Sequence, residues 1–500
     1  MIHAAVVTAC LVLLPLDAEA ANGTWTKSTG GRWNEASNWS HRAVADGLDA
    51  TANFSKVDIT ADATVVLDSP RTITSLVFGD VSPSHGWILD ELEPKSQALT
   101  LAGNAPTITV KALGLGKSVA IRVPLAGTDG LMKEGPGTLT LGGEAANTLA
   151  GTVHIQEGLL DLGKPAGTNA LATDNLHIGD GRRGATVKLL AANQLPDTTD
   201  VTIFNHGTLD LGGNSENINN LLDDGSGQSV VDGGSGTPIL AVGSGDFAGT
   251  IKNNAGTLAL NKISKGVLFL RGNNSYGGDT IISEGVLALA GASNNNIASS
   301  PLIRVETGAT LNVTGLARKS GLVLAKGQTL QGTGVVRGNL TVGDGSKAAP
   351  GNGAGTLRHE GNQVWNGGGA YVFEIAAADP AAESRAGCDL LSIHGVLQVN
   401  ATSQDKFTIE IVAHSHGEHP RDEAVGFDPA KDCHWVIATA TAGLMLSGAD
   451  SFGDRIALDT NRLTSDMPSA RRPSGYFTLK QHGGDIILHY HAAGPPPEKR

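Results

Sequence analysis

One short phrase recurs along the chain: an apolar alternating strand opened by Gly-Thr or Gly-Val and closed by Gly or Asn. It reads GTLTLGG from Gly137, GLLDLG from Gly158, GTLDLGG from Gly207, GTLALN from Gly256, GVLFLRG from Gly266, GVLALAG from Gly285 and GATLNVTG from Gly308. In TLTL, Leu139 and Leu141 point to one face and Thr138 and Thr140 to the other. One such strand buries too little apolar surface to fold alone. Strand-turn units repeating at about 20-residue steps bury it by stacking, coil on coil, as a solenoid.

Composition agrees with short strands and tight turns. Glycine is 67 of 500 residues, aromatic residues are 4% and methionines number 4. Glycine supplies positive φ at corners, and Asn or Asp adds a side-chain bond to the backbone. Apolar residues alternate cleanly, unlike those of a disordered chain. Net charge is −13, and −11 once residues 1–20 with Asp17 and Glu19 are removed. That balance argues against a nucleic-acid partner and against docking on an anionic membrane.

Ala4–Leu16 is an apolar run followed by Ala18-Glu19-Ala20, the pattern of a secretory signal cut near Ala20. Val7-Thr8-Ala9-Cys10 also has the form of a lipobox, but the apolar run continues past it. No later run reaches 18 apolar residues, so no transmembrane segment is expected. The mature chain keeps two cysteines, Cys388 and Cys433, before the strands DLLSIHGVLQV and HWVIATAT. In an oxidising compartment they are a candidate disulfide; the alternative is two buried thiols.

Four regions follow the signal-like segment. Residues 21–105 are an N-terminal cap and the first coils. Trp25, Trp33 and Trp39 fall within 15 positions there. They suit a plug over the end of the solenoid better than the alternative, an exposed sugar-stacking platform. Residues 106–360 are the main array, with the best internal match between 131–163 and 263–291. Roughly 13 coils there give a rod about 60 Å long at the usual strand spacing. Residues 361–492 have longer strands with less glycine and are expected to form an antiparallel β unit. Residues 493–500 are a loose tail.

LMKEGPGTLTLGGEAANTLAGTVHIQEGLLDLG resembles the autotransporter-associated β-strand repeat, also called the passenger-associated transport repeat. ISKGVLFLRGNNSYGGDTIISEGVLALAG resembles a second copy. GTWTKSTGGRWNEASNW, the segment Gly327 to Leu357, and residues 371–492 resemble regions that flank such repeats. The resemblance implies a right-handed parallel β-helix in a secreted or cell-surface protein. The chain ends in Pro-Pro-Pro-Glu-Lys-Arg, where a self-exporting member has a membrane barrel, so a barrel of its own is not expected.

Parallel β-helices also host polysaccharide lyases and hydrolases, which need convergent carboxylates on one face. Asp223, Asp224 and Asp232 are the candidates; polar turns between coils are the simpler reading, as for Asp344 and for the isolated calcium-repeat-like GSGDFAG at 243–249. His414, His416, Glu418 and His419 form the densest metal-type cluster, and His489 and His491 share a strand face; a solvated loop and a polar strand face account for them. No catalytic, cofactor-binding or metal residues are assigned, and no cofactor. The expected function is a structural or adhesin-like surface protein, a monomer meeting extracellular polysaccharide or cell-surface components. The alternative is a polysaccharide-active enzyme or a carbohydrate-binding surface protein.

Overall fold

The structure, a computed structural model, describes residues 20–91, 97–292, 295–375, 388–413, 429–466 and 473–492. The signal-like segment before residue 20, the His414–His419 cluster and the tail 493–500 lie outside the described residues.

Alternation along each strand becomes two ladders once coils stack. On one side of the solenoid, strands Ala63–Leu67, Trp87–Glu91, Ser118–Ile121, Thr138–Leu141, Gly158–Leu162, Ala185–Leu189, Gly207–Asp210, Val230–Asp232 and Thr250–Lys252 pair in parallel. Their inward row runs Trp87, Val119, Leu139, Leu160, Val187, Leu209, Val231 and Ile251, all essentially inaccessible to solvent. Each such side chain is stabilising by roughly 1.5–3 kcal/mol relative to exposure. Leu139, Leu141, Leu268, Leu270, Leu287 and Leu289 are all 0% exposed, so the sequence-derived inward face is the observed one.

A second side runs the length of the molecule. Parallel pairing links 17 strands, from Gly23–Thr24 through Thr152–Ile155, Val267–Leu270 and Leu390–Ile393 to Cys433–Ala440. Sixteen steps at about 4.8 Å make a stack of about 77 Å. Twelve of those strands, from Thr107–Val110 to Thr356–Glu360, fall in the main array. The third side includes Arg71–Ile73, Leu99–Leu101, Leu125–Gly127 and Thr148–Leu149, and later Ala259–Lys262, Thr280–Ile282 and Leu302–Val305. Glu216–Asp223 and Ile239–Phe247 run unbroken round the corner between the third and second sides.

The two internal repeats occupy different sides. Leu131–Glu134 and Thr138–Leu141 lie on the second and first sides, whereas Ala259–Lys262 and Val267–Leu270 lie on the third and second. The repeat therefore encodes a strand-corner-strand unit and not a fixed side of the prism.

The C-terminal part is mixed. Parallel stacking continues past residue 361 through Ala370–Ile375, Phe407–Ala413 and Ile456–Asp459, with Leu397–Val399 and Leu444–Leu446 on another side. Antiparallel strand pairing is found where Cys433–Ala440 meets Asp485–His491, which turns back on Tyr476–His482. The expected antiparallel character thus belongs to a closing hairpin, and the solenoid extends further than its change of glycine content suggests. A half-buried strand has the same two-residue period in either pairing direction.

Candidate functional site

Trp25, Trp33 and Trp39 form a plug. Trp25 and Trp33 are fully buried, and all three rings pack on Phe54 at centroid distances of 5.5–5.6 Å. Their indole N–H groups are satisfied by carbonyls: Trp25 donates to Lys27, Trp33 to Ala45 and Trp39 to Trp33, at 2.7–2.9 Å. No ring face is left for a sugar to stack on. This is how an end coil covers its apolar core.

The acidic candidates are spoken for by backbone. Asp223 accepts from the amides of Gly225 and Ala248, at 3.1 and 2.9 Å. Asp224 accepts from Asn205 and Ser226, at 2.8 and 3.0 Å. Burial works against the charge of Asp224, but its hydrogen bonds with Ser226 and Asn205 outweigh it and hold the carboxyl below the usual range. Asp232 accepts from Gly234 at 2.9 Å and pairs with Lys252 at 3.4 Å. These are corner-fixing contacts, and they do not aim the three carboxylates at a common point.

Lys252 and Asp232 belong to an outward row parallel to the leucine row. It runs Thr140, Asp161, Lys188, Asp210, Asp232 and Lys252 in direct register, with Lys188 paired to Asp210 at 3.2 Å. Such partly exposed pairs contribute little to stability individually. Their consequence is an outward stripe of mixed charge in which Lys188 and Lys252 each pair with a carboxylate. Asp161 has its carboxyl pushed up by burial, against the pull of Lys188. On the second side, His154 and His177 stack edge to face at 5.8 Å, and Phe204 lies 5.7 Å from His177. The solenoid thus presents a mixed-charge stripe on the first side and an imidazole-aromatic patch on the second.

Several charged side chains lie inside, which sequence reading missed. Lys133 donates through Nζ to the carbonyls of Gly135, Gly137 and Glu157, at 2.6–2.7 Å. Lys262 does the same to Ile263, Ser264 and Glu284. Burial lowers both pKa values to about 8. Glu216, fully buried, accepts from the amides of Gln194 and Asn217, and burial raises its pKa to about 7. Asp389 accepts from Gly355 and Glu374, and burial raises it to about 8. All of these tie corners of successive coils together. The repeated strand phrases were the available signal: setting GTLTLGG from Gly137 over GVLFLRG from Gly266 sets Lys133 over Lys262.

Cys388 and Cys433 are not joined by a disulfide. Cys388 forms an antiparallel bridge with Ile375, and Cys433 stands opposite Tyr490 on the closing hairpin. Burial, with Asp389 adding to it, pushes the Cys388 thiol up to about 11. His489 and His491 point from one face of the closing hairpin with His434 beside them. Among the described residues, no three His, Cys, Asp or Glu side chains converge as they stand on a metal position. No helix among them is long and apolar enough to cross a membrane.

The fold and these surfaces define a parallel β-helical solenoid with a plugged N-terminal end, internally pinned corners and striped polar faces. Residues 131–162 and 251–289 match the family model of the passenger-associated-transport-repeat. The chain is also similar to the adhesin BmaC autotransporter of Brucella suis biovar 1 (strain 1330), 33% identical over 155 residues. That match covers 31% of this chain and 4% of the adhesin.

Proposed function

We propose that the chain is a passenger-type module, exported by its N-terminal segment, which acts at the cell surface or after secretion by adhesion and not by catalysis. The observation that carries this is the outward row Asp161, Lys188, Asp210, Asp232 and Lys252, set in register over an unbroken coil stack. A row of mixed charges at strand spacing suits an extended polymer or another cell surface, held by many weak contacts whose effects multiply. The similarity to an adhesin supports the same reading. The use of Asp223, Asp224 and Asp232 in fixing corners argues against a lyase or hydrolase.

The test is binding of residues 21–500, displayed on beads, to a glycan array and to intact cells. Retention is expected to fall with salt, because the stripe is partly exposed, and to fall when Lys188→Glu and Lys252→Glu are combined. Retention indifferent to both changes contradicts the stripe as the adhesive face.

A further inference from the structure

The closing hairpin brings three imidazoles to one place. His489 and His491 lie two residues apart on Asp485–His491, so they share a face. His434 lies directly across from His489 in the antiparallel pair with Cys433–Ala440. The His434 and His489 ring centroids are 5.6 Å apart, and those of His489 and His491 are 6.2 Å apart. Two imidazoles bound to one tetrahedral ion by bonds of about 2.0–2.1 Å have centroids about 5 Å apart. The backbone therefore already places two of the three ring pairs, His434 with His489 and His489 with His491, within about 1 Å of ligating separations.

The rings now stack, with interplanar angles of 24° and 12°, so their nitrogens do not converge. Rotation about the terminal ring torsion is soft and needs no movement of the strands. The stacked state also leaves a cost. Nε2 of His489 is covered and has no hydrogen-bond partner among the described residues. A metal ion would satisfy it. His491 Nε2 lies 3.1 Å from Thr478 Oγ1, which holds that ring by one nitrogen and leaves Nδ1 for an ion. Thr478 stands opposite His489 on the neighbouring strand, so it comes from the same rigid sheet. A set of imidazoles with no thiolate and no carboxylate selects zinc or copper over calcium or magnesium.

We infer that His434, His489 and His491 form a binding site for one divalent transition-metal ion, of the zinc or copper class. His434 lies on a strand that pairs in parallel with the solenoid, and the other two lie on the hairpin that closes it. The bound ion clamps the hairpin to the end of the coil stack.

Calorimetric titration of Zn2+ into the untagged full chain tests this, with the three histidines of 414–419 changed to Ala in a parallel sample. One ion per chain is expected in both. His489→Ala, and separately the exposed His434→Ala, are expected to weaken binding at least tenfold, with the far-UV circular dichroism unchanged. Zn2+ should raise the melting temperature of the parent and not of His434→Ala, because only a native-state site stabilises. Binding that survives both substitutions, binding lost only with the histidines of 414–419, or no stoichiometric binding by the parent overturns the inference.

Discussion

Lys133 and Lys262 make the same contact on different sides of the prism. Each ammonium donates to two carbonyls of its own corner and to one in the next coil, Glu157 or Glu284. Gly158, the residue after Glu157, has φ +77, and a Cβ there would lie 2.6 Å from Lys133 Nζ. The glycine that opens the next strand is thus required both by its backbone and by the lysine beneath it. Lys133→Met keeps the volume but leaves three carbonyls without their donor. It is expected to cost about 2–4 kcal/mol in urea unfolding, whereas an equivalent change at exposed Lys326 should stay within about 0.5 kcal/mol. Equal stabilities for the two variants would show that the corner does not depend on the buried lysine.

Leu270 faces Phe247 in one neighbouring coil and Leu289 in the other, with no solvent exposure. Leu270→Asp puts an unpaired carboxyl into that row. A loss of roughly 4 kcal/mol or more is expected, read as a fall in urea midpoint or as failure to fold. Near-parental stability would place this strand in a different register.

Glu216 gives a pH signature. Its pKa is raised to about 7 in the folded chain from the ordinary glutamate value of 4.5, chiefly by burial. Between those values the folded state holds a proton that the unfolded state has lost. Its contribution to stability is therefore full below about pH 4.5 and declines as pH rises through 7. Glu216→Gln keeps an acceptor for the Gln194 amide and removes the titration. The stability difference between parent and variant should move in the variant's favour from pH 4.5 to 7. A difference independent of pH would mean that Glu216 is not buried as described.

The inward rows were legible because a strict two-residue alternation allows one burial pattern. The tryptophan plug was legible because an end coil must cover its apolar core, and three large rings at the start of a solenoid suit that better than a sugar-stacking platform. The buried lysines were not: a Lys beside a Gly-rich turn reads as solvent-exposed, and only the coil above supplies its third carbonyl. The direction of pairing beyond residue 361 was hidden for a similar reason, since AYVFEIAA alternates alike in parallel and antiparallel sheets. The cysteine pairing rested on each residue preceding a strand, which does not tell what stands opposite: Ile375 for Cys388 and Tyr490 for Cys433.

Catalysis offers a further check. No turnover of common polysaccharides is expected, and Asp224→Ala should lower stability without changing any activity, since its contacts are amides of Asn205 and Ser226. Depolymerisation abolished by Asp224→Ala or Asp232→Ala contradicts the adhesive reading.

The coil stack itself is tested most directly by a distance between spin labels at Thr51 and Thr202. These residues end an outward row that runs Thr51, Ser75, Thr107, Met132, His154, His177 and Thr202 in direct register. Six strand steps predict a single narrow distribution centred at about 29 Å, widened only by the label linkers. A distribution centred below about 20 Å, or spread broadly over tens of ångströms, would contradict a continuous parallel β-helix and every surface row derived from it.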